Sequence, residues 1–584
     1  MLIETRSCQN CKNQFVIEPE DFDFYKKMCV PPPTFCPDCR AQRRMLWRNE
    51  RTYYKRPCNA PGHSEGVISI IAPESPFVIF DQQYWWSDSW DPLDAGRDLD
   101  FSKPFFKQYR ELLERVPIIA LSNTNSVNSD YCSSAAWNKD CYLISGGGWD
   151  ERVSYANRAV KVKDSLDVYI VDNSELCYDC SYCTKCYRLL MSRNCEACSE
   201  SAFLYNCRNC SSCFGCANLR SKQYCFFNEQ LTKEEYERRV RSADIGSFRA
   251  LQGVARRFHN CVYLKAIHKY ADIMNCTNAT GDHIRNARNC RDCFDIGGDD
   301  TEHCRFVNWS GFKTKDLYDT GPGAGWNSEM LYEGLDLNDS SRLVGCVTNY
   351  NCQDMWYCVN CHNSSDCFGC YGLRSKQHCI LNKQYSEEEY KALLSSAKEH
   401  MEKMPYIDAQ GRRYGLGEFF PPEIQPFAYN ETIAQEYFPL TKEVATRQGH
   451  RWREQDARHY TVTLHARDVP DHIKDVSDDI LREIIECEHA GACLEQCTTA
   501  FKIIPGELQL YRRLGIPLPH LCPNCRHYQR LAQRNSLKLW HRQCMCNKSH
   551  REHSGQCLNE FETSYAPERP EIVYCEQCYQ QEIS

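Results

Sequence analysis

Cys8-x2-Cys11 and Cys36-Pro-Asp-Cys39 stand near one end of the chain, Cys493-x3-Cys497 and Cys522-Pro-Asn-Cys525 near the other. These spacings suit a metal ion. Tetrahedral zinc takes four thiolates, and two tight knuckles separated by a loop deliver them. Four sulfurs leave no open position for water, so such an ion is structural rather than catalytic. The step from Cys11 to Cys36 is 25 residues, as is that from Cys497 to Cys522. Phe15 and Phe501, Tyr25 and Tyr511, and Pro31 and Pro517 keep the same offset, which marks an internal duplication. Whether Cys487 or Cys493 completes the C-terminal set stays open on sequence alone.

A second half-module follows each copy. At the C-terminal end Cys557, Cys575 and Cys578, with Cys544 or Cys546, form a third zinc set. Its N-terminal counterparts are Cys58, His63, Asp81 and Tyr84. Tyrosine is a poor zinc ligand, so this half-site reads as a fold held by packing. The competing reading is an open Cys/His/Asp metal site with catalytic potential. Ligand counting gives roughly three zinc ions per chain.

The residues after each Cys-Pro-x-Cys knuckle are predicted to be helical. Arg40, Arg44, Arg48, Arg51 and Lys55 recur at steps of three or four, as do Arg526, Arg530, Arg534, Lys538 and Arg542. Such a stripe suits a phosphate backbone, and Trp47, Tyr53 and Tyr54 are placed to stack on bases. The alternative is a solvated face, or arginines paired with acids elsewhere in the chain.

Between these ends lies a second duplication. Phe214-Gly-Cys through Arg220-Ser-Lys-Gln matches Phe368-Gly-Cys through Arg374-Ser-Lys-Gln, and each continues into a helix opened by a capping box, Thr232 with Glu235 and Ser386 with Glu389. Short apolar runs alternate with polar corners, as in Cys186, Cys195, Cys207, Cys216 and Cys225. This pattern predicts a mostly β chain: cysteine-rich β-solenoid-like arrays flanked by zinc ribbons, with few helices. Cys177, Cys180, Cys183 and Cys186, then Cys207, Cys210, Cys213 and Cys216, match iron–sulfur or zinc spacing. Ser364 stands where the first array has Cys210, which favours packed small side chains over ligands. The expected domains are 1–84 (zinc ribbon plus degenerate second ribbon), 85–117 (linker and capping helix), 118–245 and 246–400 (the two arrays), 401–486 (extended linker) and 487–584 (double zinc ribbon). The capping helix carries Phe105, Phe106, Tyr109, Leu112 and Leu113 on one face. A further helix is expected over Asp478–Glu486.

A net charge of −8 argues against a surface built wholly for DNA. No apolar run reaches the roughly 18 residues of a membrane span. The first residues lack a secretory pattern, so the expected compartment is the cytoplasm, where 41 cysteines act as thiols or metal ligands.

Residues 36–44, Arg48-Asn-Glu-Arg51, Trp85-Trp-Ser-Asp88, Phe368-Gly-Cys370 and Glu571-Ile-Val-Tyr-Cys-Glu-Gln-Cys578 together resemble a family of zinc-ribbon, cysteine-repeat proteins from uncultured, small-genome bacteria. The resemblance covers essentially the whole chain. It implies an architecture and no activity; a CoA-transferase-type name carried by some members finds no matching pattern here. The leading functional expectation is a non-enzymatic zinc-binding scaffold that contacts nucleic acid or a ribonucleoprotein through its arginines. The alternatives are a protein assembly scaffold, an enzyme on a β-helix, and thiol-based metal storage. No catalytic nucleophile-and-base pair is apparent.

Overall fold

The computed structural model describes residues 3–323, 325–454 and 460–583. Positions 1, 2 and 584 of the outer domains, and 455–459 of the linker, lie outside the described residues. Strand dominates and helices are few.

In the first array nine strands follow chain order from Tyr142–Ser145 to Glu229–Gln230, all parallel except the closing hairpin. Each strand pairs with the next at a register of 12 residues: Ser165 Oγ accepts from the Cys177 amide at 2.9 Å across that step. Positive φ recurs at every third residue, as at Leu176, Asp179, Tyr182, Lys185 and Arg188. The left-handed region costs a non-glycine residue about 1–2 kcal/mol. Ladder bonds to the neighbouring strands offset it; the Leu176 amide, for instance, donates to Lys163. The residue after each such position is buried, which places Cys177, Cys180, Cys183, Cys186 and Leu189 in one core. Three residues per step explain why neither the two-residue strand pattern nor the helical one is visible in this region.

The inward positions are small because successive strands approach closely on several sides. Buried Cys180 donates its thiol to the Tyr178 and Leu189 carbonyls. Inward serines accept an amide from 12 residues on, as Ser364 does from Lys376 at 3.2 Å. Cysteine and serine both bridge backbone groups here, so Ser364 replaces Cys210 without leaving a gap in the core.

The second array runs from Ile273–Met274 to Lys383–Gln384. Its early register is irregular, then settles to 12 residues from Ser341 onward. The repeated Phe-Gly-Cys motif has a geometric cause. Phe368 packs outward on Phe105 (ring centroids 4.8 Å apart) and Cys370 faces the core. Gly369 has φ +65°, and a Cβ there would meet the Phe105 ring at 2.6 Å. The helix Phe105–Leu113 thus seats on the second array, while Lys233–Ala243 and Phe248–Phe258 pack on the first. Of the two expected capping boxes, Ser386 with Glu389 forms in full, whereas Thr232 accepts from the Glu235 amide while the Glu235 carboxylate pairs with Arg238 and Arg239 instead. The helix expected over Asp478–Glu486 is instead a short 3-10 turn, Asp478–Arg482, followed by the strand Ile485–Glu486. That strand pairs with Ala500–Phe501, and the pairing consumes the backbone groups a helix would need.

The terminal modules cross over. The N-terminal ribbon docks on the second array, where Phe24 stacks on Tyr318 at 3.8 Å. The C-terminal ribbon docks on the first, where Tyr511 meets Tyr178 at 5.8 Å. The arrays themselves touch along a seam: Tyr182 stacks on His283 at 4.1 Å, Arg208 faces Asp272 at 3.7 Å and Arg285 faces Glu196 at 3.3 Å.

Candidate metal centres and the buried arginine helices

Cys8 leaves the strand Glu4–Ser7, and Cys36 caps the helix Pro37–Met45, which carries Cys39 in its first turn. These elements bring the ligand atoms of Cys8, Cys11, Cys36 and Cys39 within 4.8 Å of one another. Four Zn–S bonds of about 2.3 Å would set sulfurs about 3.8 Å apart; Cys11 and Cys36 lie at 3.6 Å. The Cys36 amide donates to the Cys8 sulfur at 3.2 Å, a bond that favours the thiolate.

The second group is Cys487, Cys497, Cys522 and Cys525, all buried. Of the two cysteines the sequence leaves open, Cys487 joins this set, and Cys493, matched there by its spacing, lies in a neighbouring group. The strand Ile485–Glu486 runs directly into Cys487, as Glu4–Ser7 runs into Cys8, and the Cys522 amide donates to the Cys487 sulfur at 3.2 Å. An insertion separates Cys487 from Cys497, which is why spacing alone does not choose between Cys487 and Cys493. Leu494, which holds the offset of Cys8, is 86% exposed.

Cys544, Cys557, Cys575 and Cys578 form the third group. The Cys575 amide donates to the Cys544 sulfur at 3.2 Å. Its N-terminal counterpart has the same plan with other ligands. Cys58 Sγ lies 3.8 Å from His63 Nδ1 and 3.6 Å from Asp81 Oδ2, with His63 and Asp81 2.8 Å apart. The Asp81 amide donates to the Cys58 sulfur at 3.3 Å. Tyr84 sits beside them, its ring 5.2 Å from that of His63. The half-site therefore brings a thiol, an imidazole and a carboxylate together where the C-terminal copy has sulfurs.

The arginines do not form a surface stripe. The two knuckle helices point theirs into the arrays. Arg40 pairs with Asp319 at 2.9 Å, Arg43 with Glu333 at 2.8 Å and Glu418 at 3.0 Å, and Arg44 with Glu333 at 2.9 Å. Arg48 pairs with Glu50 at 2.6 Å and lies over Trp309. Arg51 bonds to Asn157 of the first array and Asn524 of the other ribbon. In the C-terminal copy Arg526 and Arg530 grip Asp167 at 2.8 and 3.0 Å, and Arg530 also meets Asp179 at 3.3 Å. Arg534 covers Tyr437 and donates to the Glu436 carbonyl, and Arg542 donates to the Tyr565 and Ala566 carbonyls. Arg40, Arg44, Arg48, Arg526 and Arg530 are buried. Burial pushes the Glu333 carboxyl up, opposed by Arg43 and Arg44. Trp47 is buried against Phe420, and Tyr54 bonds to Glu431, so the aromatics meant for bases are also internal. The phosphate-stripe expectation is corrected on these grounds: the helix face that repeats arginine is the face that docks.

Sequence reasoning missed the acids. Asp167 and Asp319 carry positive φ and point outward from their arrays. Aspartate is common at that backbone conformation for local reasons, so nothing marked these two as partners of arginines more than 270 residues away. It also missed a half-exposed aromatic row across the seam. Trp137 stacks on Trp149 at 4.6 Å, Trp149 on Trp326 at 5.8 Å, and Phe312 meets Trp326 at 5.0 Å. A cleft of about 940 Å³ opens where the C-terminal ribbon meets the first array, between Arg249, Arg256, Gln529 and Gln533.

No family model matches the chain, and no curated protein is significantly similar to it. No helix among the described residues is long and apolar enough to cross a membrane.

Proposed function

We propose that this protein is a non-enzymatic, zinc-stapled assembly scaffold. Its two arrays are read as β-solenoids coiled at 12 residues per turn, the second after an irregular start, and its terminal ribbons as clamps that lock the solenoids together. The observation that carries this reading is the set of buried arginine–carboxylate pairs between each knuckle helix and the array it covers. Zinc fits the four-sulfur groups because it accepts closed tetrahedral thiolate sites without redox chemistry. Each ion holds a knuckle, the knuckle starts the arginine helix, and the helix closes the array face.

The reading in which the ribbons grip nucleic acid loses its residues, since a buried, paired arginine is not available to phosphate. The protein-scaffold reading takes its place, with the exposed Trp137–Trp149–Trp326–Phe312 row as the surface left for a partner. The test is a titration of the zinc-loaded full chain with DNA and with RNA at low and moderate salt. The scaffold reading expects no binding that weakens steeply with salt. A salt slope corresponding to several released counterions overturns it.

A further inference from the structure

Both C-terminal modules carry an insertion relative to their N-terminal counterparts. Cys8 and Cys11 enclose Gln9 and Asn10 only, whereas Cys487 and Cys497 enclose a longer loop with His489, Cys493 and Glu495. In the second module, the hairpin register pairs Arg56 with Val67 and Arg542 with Phe561, so the C-terminal hairpin is also the longer. Its added loop holds Cys546, His550 and His553.

Each inserted trio converges on one sulfur of the adjoining four-sulfur group. The ligand atoms of His489, Cys493, Glu495 and Cys525 lie within 4.8 Å of one another, as do those of Cys546, His550, His553 and Cys578. Cys493 Sγ is 3.8 Å from Cys525 Sγ. His550 Nε2 is 3.1 Å from Cys546 Sγ, and His553 Nε2 is 3.2 Å from Cys578 Sγ. His489 Nδ1 and Glu495 Oε2 face each other at 3.1 Å. An imidazole nitrogen and a carboxylate oxygen gathered beside two thiols are a ligand set that a divalent cation accepts. At the equivalent spot the N-terminal copy uses a neutral donor: the Asn10 amide bonds to the Cys39 sulfur at 3.3 Å.

We propose that each C-terminal module holds two divalent metal ions that share a thiolate, Cys525 in one and Cys578 in the other. One ion takes the four-sulfur group. The second takes the bridging sulfur with His489, Cys493 and Glu495, or with Cys546, His550 and His553. A thiolate has lone pairs for two ions, and paired sites elsewhere hold ions about 3.5–4 Å apart. Charge favours the second ion: with one dication, the sulfurs of Cys544, Cys546, Cys557, Cys575 and Cys578 leave a net charge of about −3 if all are thiolates, and a second dication brings this to about −1. The mixed ligands and the partly exposed loop make the second ion the more readily exchanged of the pair.

This proposal rests on the four-sulfur groups being loaded, and the experiment separates the two claims. Native mass spectrometry of the zinc-loaded full chain counts ions in the wild type, in His489→Gln/Cys493→Ser/Glu495→Gln, and in Cys546→Ser/His550→Gln/His553→Gln. Each triple variant is expected to lose one ion, and the combined variant two, with the four-sulfur ions retained and a single cooperative thermal transition kept. An unchanged count in the variants overturns the shared-thiolate proposal. A wild type without bound metal overturns the four-sulfur reading itself. If a triple variant loses both ions of its module, a variant with the loop cut to the N-terminal length decides. Loss of one ion there supports the proposal, and loss of none overturns it.

Discussion

Asp167 is the residue whose loss should cost the C-terminal clamp most. Its carboxylate is about 1% exposed and holds two arginines, Arg526 and Arg530. Asp167→Asn keeps the shape and removes the charge. Breaking a buried pair from one side costs about 3–5 kcal/mol, because the remaining charge stays buried. Here the residual acids decide where in that range the value falls. Glu507 lies 3.6 Å from Arg526, and Asp179 lies 3.3 Å from Arg530. Both still offset part of the cost of the buried arginine charges, so the lower end, about 3 kcal/mol, is expected. That is about two decades in the opening equilibrium. Hydrogen exchange of the helix Pro523–Leu531 in the full chain reads this opening. Protection there should fall about 100-fold, while the array core around Cys177–Cys186 keeps its own. Asp164→Asn is the control: its partners Arg152 and Arg513 are half-exposed, and at most about 1 kcal/mol is at stake. Equal effects from the two variants, or none from Asp167→Asn, would refute the docking argument.

Cys487→Ser should remove the C-terminal four-sulfur ion and lower the melting temperature, whereas Cys493→Ser should leave that ion bound; metal analysis of the two variants checks this. Cys180→Ser should cost only about 1 kcal/mol in chemical denaturation, since an inward hydroxyl makes the bridging bonds a thiol makes, while Cys180→Phe should prevent close stacking and cost several times more. Gly369→Ala should destabilise the capping helix by about 1–3 kcal/mol, from the left-handed backbone and the clash with Phe105, read as earlier proteolysis near residues 105–113. His283 tests the seam by pH. Burial lowers its pKa, but Asp282, Asp272 and Asp295 outweigh this and raise it to about 9. A raised histidine contributes stability that is complete below the unfolded pKa of about 6.5 and is lost as pH climbs through about 9. Melting temperature should therefore fall between those values, and less so in His283→Gln.

The metal groups were legible because ligand spacing is a local property. Cys8 to Cys39 and Cys544 to Cys578 each complete a module within one stretch of chain. Cys487 was ambiguous because its insertion broke the spacing that identified Cys8. The strand content was legible from the short cysteine-punctuated runs, but its three-residue period was not, since inward Cys, Ser, Val and Ala differ little in polarity. The arginine face is legible as a repeated helix face, but the sequence leaves open whether it meets phosphate, water or acids elsewhere in the chain, and only the fold selects the acids. Only the fold brings Asp319 to Arg40 and Asp167 to Arg526, and an acidic residue at a polar corner looks the same whether it meets water or a guanidinium. The aromatic row was invisible for the same reason: Trp149 and Trp326 belong to different arrays.

Hydrogen exchange of the zinc-loaded full chain before and after chelation tests the central claim most directly. If metal holds the knuckles and the knuckles hold the arginine helices on the arrays, chelation will deprotect Pro37–Met45 and Pro523–Leu531 together with the strands bearing Asp319 and Asp167, while the core around Cys207–Cys216 stays protected. Protection unchanged in both helices after complete metal removal would contradict it.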